Sequence, residues 1–127
     1  MLGTALERVD RSRLSGFDRV LLLQVRARQI AHLQAELLAD IDSISEAIGT
    51  LINDPAPDER TVHDTTSSEI STALSLTRRS AERHVDLAYL LCQRLPQVWE
   101  ALSAGLIDQA RARILADQTT HLPQALA

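Results

Sequence analysis

The chain has 127 residues, enough for one domain with a core of its own. Hydrophobic residues make up 45% of it and aromatics only 2%, which argues against a sheet, since strands recruit aromatic and β-branched side chains. A net charge of −4 excludes a general attraction to nucleic acid, so any DNA contact needs a local patch.

Every basic residue is an arginine. They are scattered along the chain, so a GC-rich coding sequence explains them better than selection for arginine's forked contacts. Cys92 is the single cysteine, which leaves no internal disulfide to form. No apolar run approaches the roughly 18 residues of a membrane span, and the N-terminus lacks a signal-peptide segment. No membrane association and a cytoplasmic location are expected.

The fold class expected is all-α: a long N-terminal helix followed by a compact helical half containing a helix-turn-helix-like pair. A single domain over 1–127 divides into a long helix at 15–52, a polar loop at 53–66 and the helical half at 67–122. Residues 1–14 carry a short helical signal in Ala5, Leu6 and Val9. Ser15, with Asp18 three positions on, resembles a capping box. Taking Val20 as position a, a seven-residue repeat runs through Leu23, Ala27, Ile30, Gln34, Leu37, Ile41, Ile44, Ile48 and Leu51. All are apolar but Gln34. Ala31, Leu33, Leu38 and Ala47 widen the stripe beyond a two-stranded seam. Two readings stand side by side: packing within the chain, and a homodimer through the long helix.

The Pro-rich stretch from Asn53 breaks the helix. Asp54, Asp58, Glu59 and Asp64 with His63 have no ligand spacing and read as solvated loop residues, so neither metal nor cofactor is expected. Thr66, Ser67 or Ser68 can cap the next helix, with Ile70, Ala73 and Leu74 turned inward. Ser75 to Thr77 is a break. Thr77 caps a helix from Arg78 to about Gln93 that buries Ala81, Val85, Ala88, Leu91 and Cys92. Pro96 opens a helix burying Val98, Trp99 and Leu102, stopped by a left-handed Gly105. Asp108 caps the last helix, whose apolar face is Ala112, Leu115 and Ala116 and which fades near Leu122.

Counting Ile70 as the fourth residue of a helix-turn-helix unit puts Leu74 eighth, Leu76 tenth, Ala81 fifteenth and His84 eighteenth. The apolar positions fit. Ser71 stands fifth, where alanine is usual, and Ser75 ninth, where glycine is usual. In such a unit Thr77, Arg78, Arg79, Ser80, Glu82 and Arg83 open the second helix, where amides and a hydroxyl meet phosphate and arginines reach phosphates or guanine edges. Arginines and acids balance between Glu69 and His121. The competing reading is an ordinary solvated helix face.

The segment EISTALSLTRRSAERHVDLAYLLCQRLPQVWEALSAGLIDQARARIL resembles the DUF222 domain, also called the 13E12 repeat family, common in actinobacteria. The resemblance rests on Ala73-Leu74, Leu76-Thr77, Ala81, Leu87-Ala88, Leu95-Pro96, Ala101-Leu102, Gly105-Leu106-Ile107 and Ala110-Arg111. The helix from Leu14 to Leu51 is similar to that family's long N-terminal helix. More distantly, the same block is similar to the helix-turn-helix region of ParB-type partition proteins. The resemblance implies a module found ahead of HNH endonuclease domains. This chain departs from that arrangement: after Arg113 His121 is the sole histidine, and Asn53 the only asparagine, so no HNH site can be composed.

His32, His63, His84 and His121 are spread out, and no Gly-rich phosphate loop is present. No enzyme activity is expected. Double-stranded DNA is the expected partner, contacted from Thr77, Arg78, Arg79, Ser80 and Arg83 with Arg111 and Arg113 as auxiliaries. The alternative is an oligomerisation or protein-partner module without DNA binding.

Overall fold

The computed structural model describes residues 9–51 and 58–119. Among these residues there is no strand. A 3-10 turn at Arg11–Arg13 leads into α1 (Gly16–Leu51), followed by α2 (Glu59–Leu74), α3 (Arg78–Tyr89), a π segment (Leu90–Arg94), α4 (Pro96–Ser103) and α5 (Gln109–Thr119). The Ser15 hydroxyl accepts the Asp18 amide at 3.1 Å, which satisfies one of the free donors at the start of α1.

The spine of the fold is α1. Against it pack α2, α3, α4 and the π segment, while α5 rests on α4. Its buried residues are Ala31, Ala35, Leu38 and Ile41. Two of the four are alanines, so neighbouring helices come close, and the Trp99 indole donates to the Ala35 carbonyl at 2.8 Å. The other side of the core is Ile70, then Ala81, Val85, Leu87, Ala88 and Leu91, with Leu102, Ala112 and Ala116 closing it. Of the inward faces expected of the last three helices, Ala81, Val85, Ala88, Leu91, Leu102, Ala112 and Ala116 are buried, with Leu87 added, while Cys92, Val98, Trp99 and Leu115 are only half-buried.

Three expectations are corrected. Of the heptad a and d sites, only Ile41 is buried; the core takes its neighbours Ala31, Ala35 and Leu38 instead. The loop expected over 53–66 ends sooner, because Asp58 accepts the Arg60 amide at 3.1 Å and starts α2 at Glu59. Thr66 and Ser67 thus lie mid-helix, fully buried, rather than at a cap. Ala73 and Leu74 are exposed, leaving Ile70 as the inward residue of that turn. The signal at Ala5 and Leu6, the residues Asn53 and Asp54, His121 and the fading at Leu122 lie outside the described residues.

Pro96 shapes the junction after α3. It disfavours helical geometry at Leu95 and cannot donate, and the preceding turn widens so that the Leu95 amide bonds the Leu90 carbonyl at 2.8 Å. The π turn carries Gln93 to α1, where its amide donates to Asp42 at 2.6 Å and Glu46 at 2.9 Å. At the other end of α4, Gly105 has φ 76°. A Cβ there would lie 2.7 Å from Cγ and 2.8 Å from Cβ of Arg28, so this glycine serves both the turn and the close approach to α1.

Candidate nucleic-acid interface

The turn between α2 and α3 is built by short polar side chains. Ser75 is left-handed, φ 54° and ψ 42°, the conformation for which glycine is usual at the ninth position of a helix-turn-helix. The Leu76 amide bonds the Ser71 carbonyl at 3.0 Å, and the Ser71 hydroxyl donates to the Leu76 carbonyl at 2.7 Å. Thr77 then caps α3 as expected, its hydroxyl accepting the Ser80 amide at 3.1 Å. Both serines are thus compatible with the turn: one is small and bonds it shut, the other bends it.

The arginines of α3 divide into two kinds. Arg78 is committed to the fold: its guanidinium donates to Glu82 at 3.1 Å, to the Ser68 hydroxyl at 2.9 Å and to the Asp64 carbonyl at 3.1 Å. It braces α3 against α2. Arg79 and Arg83, one turn apart, are exposed, and no bond or ion pair engages either among the described residues. Ser80 is half-buried, with its carbonyl bonded to the His84 ring at 2.8 Å.

The auxiliary arginines separate as well. Arg113 shares a shallow groove of about 210 Å³ with Arg83, Asp86 and Asp117. Arg111, two residues earlier and so about 200° round α5, lines a different hollow with Arg28 beside Gly105. The seven predicted residues therefore do not form one surface. Arg79, Arg83 and Arg113 are its basic part, Thr77 caps the helix by accepting the Ser80 amide, and Arg78 and Arg111 lie to either side of that role.

One arrangement has no signal in the sequence. His63, expected in a solvated loop, sits on α2 with one ring nitrogen 2.8 Å from Asp86 and the other 3.6 Å from Asp64. It borders an open cleft of about 690 Å³ with Arg60, Tyr89 and Leu90. Because Asp86 comes from another helix, only the tertiary fold reveals the pair. Through its bond to Asp86, the ring is a clasp between α2 and α3.

Elsewhere the electrostatics are structural. Burial raises the Asp42 carboxyl above the usual range, opposed by the Gln93 hydrogen bond and reinforced by Glu46. Burial likewise pushes the Cys92 thiol up to about 11, with Asp42 and Glu46 adding to the effect. A thiol held protonated at neutral pH is a poor nucleophile.

The family model described as Domain of unknown function (DUF222) matches residues 20–127. No curated protein and no solved structure matches the chain.

Proposed function

The chain belongs to the DUF222 family, and from that premise we propose that it is a non-catalytic helical module that contacts double-stranded DNA through the start of α3. The observation that carries this reading is the turn. A left-handed Ser75 and a Thr77 cap set a short helix after a tight break, with Arg79 and Arg83 facing solvent unengaged. Such a helix start is how helix-turn-helix proteins meet the major groove and its phosphates. Arg113 lines the same groove as Arg83, together with the carboxylates of Asp86 and Asp117. Resemblance to the part of HNH-associated proteins that precedes the nuclease, and more distantly to ParB-type proteins, supports the same reading. The module works by binding DNA, in the cytoplasm where DNA is accessible.

The test is fluorescence anisotropy of a labelled GC-rich duplex at several salt concentrations. Wild type is expected to bind with a log–log salt slope of about −0.9 per phosphate contact. The Arg79→Ala/Arg83→Ala double variant is expected to lose about 0.9 of that slope for each arginine that touches phosphate. Arg78 is left intact, since its removal would disturb the bracing of α2. Absence of wild-type binding at low salt ends the DNA reading.

A further inference from the structure

The fold accounts for only part of the seven-residue repeat of α1: Ile41 is buried, and Ile44, Ile48 and Leu51 border a hollow beside Ile70 and Ala73 of α2. The d sites of the repeat are Leu23, Ile30, Leu37, Ile44 and Leu51, and all five are between 40% and 79% exposed. Leu33 lies beside this ladder and is 66% exposed. At about 100° per residue, the strip containing the ladder and Leu33 is centred roughly 130° round the helix from the buried line of Ala31, Ala35 and Leu38, with the buried Ile41 between them. Thus α1 is apolar on two sides, and the bundle covers one. Single exposed leucines need no explanation, whereas a continuous strip does.

We propose that this strip is a homodimer interface, with two copies of α1 packed antiparallel about a twofold axis near Leu33. The period argues for the kind of partner. An apolar line recurring every seven residues stays in register with a second helix over its whole length, while a compact surface would need only part of it. Length argues for a second copy. Leu33 is at the middle of Gly16–Leu51, so a twofold there overlaps the two helices from end to end.

Charge decides the direction. On the same strip Arg26 stands one heptad before Leu33 and Asp40 one heptad after it. An antiparallel pair brings Arg26 of each copy towards Asp40 of the other, whereas a parallel pair stacks like on like. The apolar residues agree: Leu23 then faces Ile44, Ile30 faces Leu37, and Leu33 meets its own equivalent. The twofold makes the interface isologous and closed, which ends assembly at the dimer. A helix of this length is about 54 Å long and about 10 Å across. Its corrugated face is of the order of the roughly 800 Å² per partner that a stable interface buries. The proposal is independent of the DNA reading, because it uses none of its residues.

The experiment is sedimentation equilibrium of the full chain from micromolar to several hundred micromolar. The expected mass is twice the 14.0 kDa of one chain. Leu33→Glu places two carboxylates against each other at the axis and should raise the dimer dissociation constant roughly 100-fold or more. Its far-ultraviolet circular dichroism should stay helical, because Leu33 contributes nothing to the buried core. A wild type that is monomeric throughout, or a folded Leu33→Glu that dimerises as well as wild type, overturns the proposal. Direction is read separately in a Cys92→Ser background: Ile30→Cys and Leu37→Cys chains should cross-link when mixed and oxidised, and poorly alone. Efficient cross-linking of Ile30→Cys to itself overturns the antiparallel arrangement.

Discussion

Gly105 and Gly49 show how one residue type serves opposite purposes. At Gly105 a side chain meets two obstacles at once: a positive φ, and the Arg28 side chain at under 3 Å with its Cα at 3.1 Å. The obstacle includes backbone, so relaxation means moving α1 away from the α4–α5 turn. Gly105→Ala is therefore expected to destabilise by about 2–4 kcal/mol, combining conformational strain with overpacking. Gly49 sits inside α1, where a Cβ would make ordinary contact with Val62 at 3.9 Å. Gly49→Ala should stabilise by up to about 1 kcal/mol, the usual gain of alanine over glycine in a helix. Thermal melts of the two variants against wild type check both signs; a neutral Gly105→Ala would mean the turn yields more easily than its geometry implies.

Between elements, the contact that matters most for the candidate interface is the Arg78 brace. Three hydrogen bonds run from one guanidinium, two of them to α2. Partly exposed bonds of this kind contribute about 1 kcal/mol each at most, and their surface charge is screened. Arg78→Ala should lower stability by about 1–2 kcal/mol in urea unfolding, while Arg79→Ala and Arg83→Ala stay within about 0.5 kcal/mol of wild type. Equal effects at all three positions would deny Arg78 its bracing role. The division among these arginines is not legible in the sequence, because Asp64 and Ser68 reach Arg78 only once α2 lies beside α3. The caps are legible, since Ser15, Thr77 and Asp108 act on amides within three residues, the last accepting the Arg111 amide at 2.7 Å. Less legible is the start of α2: Asp58 caps it at the end of a stretch whose prolines and acids read as loop. In α1 the period is plain in the sequence, but not which of two apolar lines the bundle takes.

At the scale of the whole molecule, the question is what holds the first half of α1. No residue of that helix before Ala31 is buried, although Phe17, Val20, Leu21 and Leu23 are all large and apolar. An isolated helical segment of this length is marginal in water, and tertiary cover normally supplies what propensity does not. In the antiparallel dimer the cover comes from the partner: the twofold lays the Gly16 end of one copy along the Leu51 end of the other. If the DNA reading also holds, the twofold presents two copies of α3, and the matching DNA carries an inverted repeat. The prediction that separates a supported from an unsupported helix is amide hydrogen exchange as a function of protein concentration. Residues 31–41 and 81–91 should be protected at every concentration, because their cover is intramolecular. Residues 17–30 should exchange quickly in dilute protein and slow in step with the dimer fraction. In Leu33→Glu they should stay fast throughout. Exchange in 17–30 that is already slow in dilute wild type, and equally slow in the variant, would mean that the helix stands on its own packing and that its outer ladder answers to something other than a second copy.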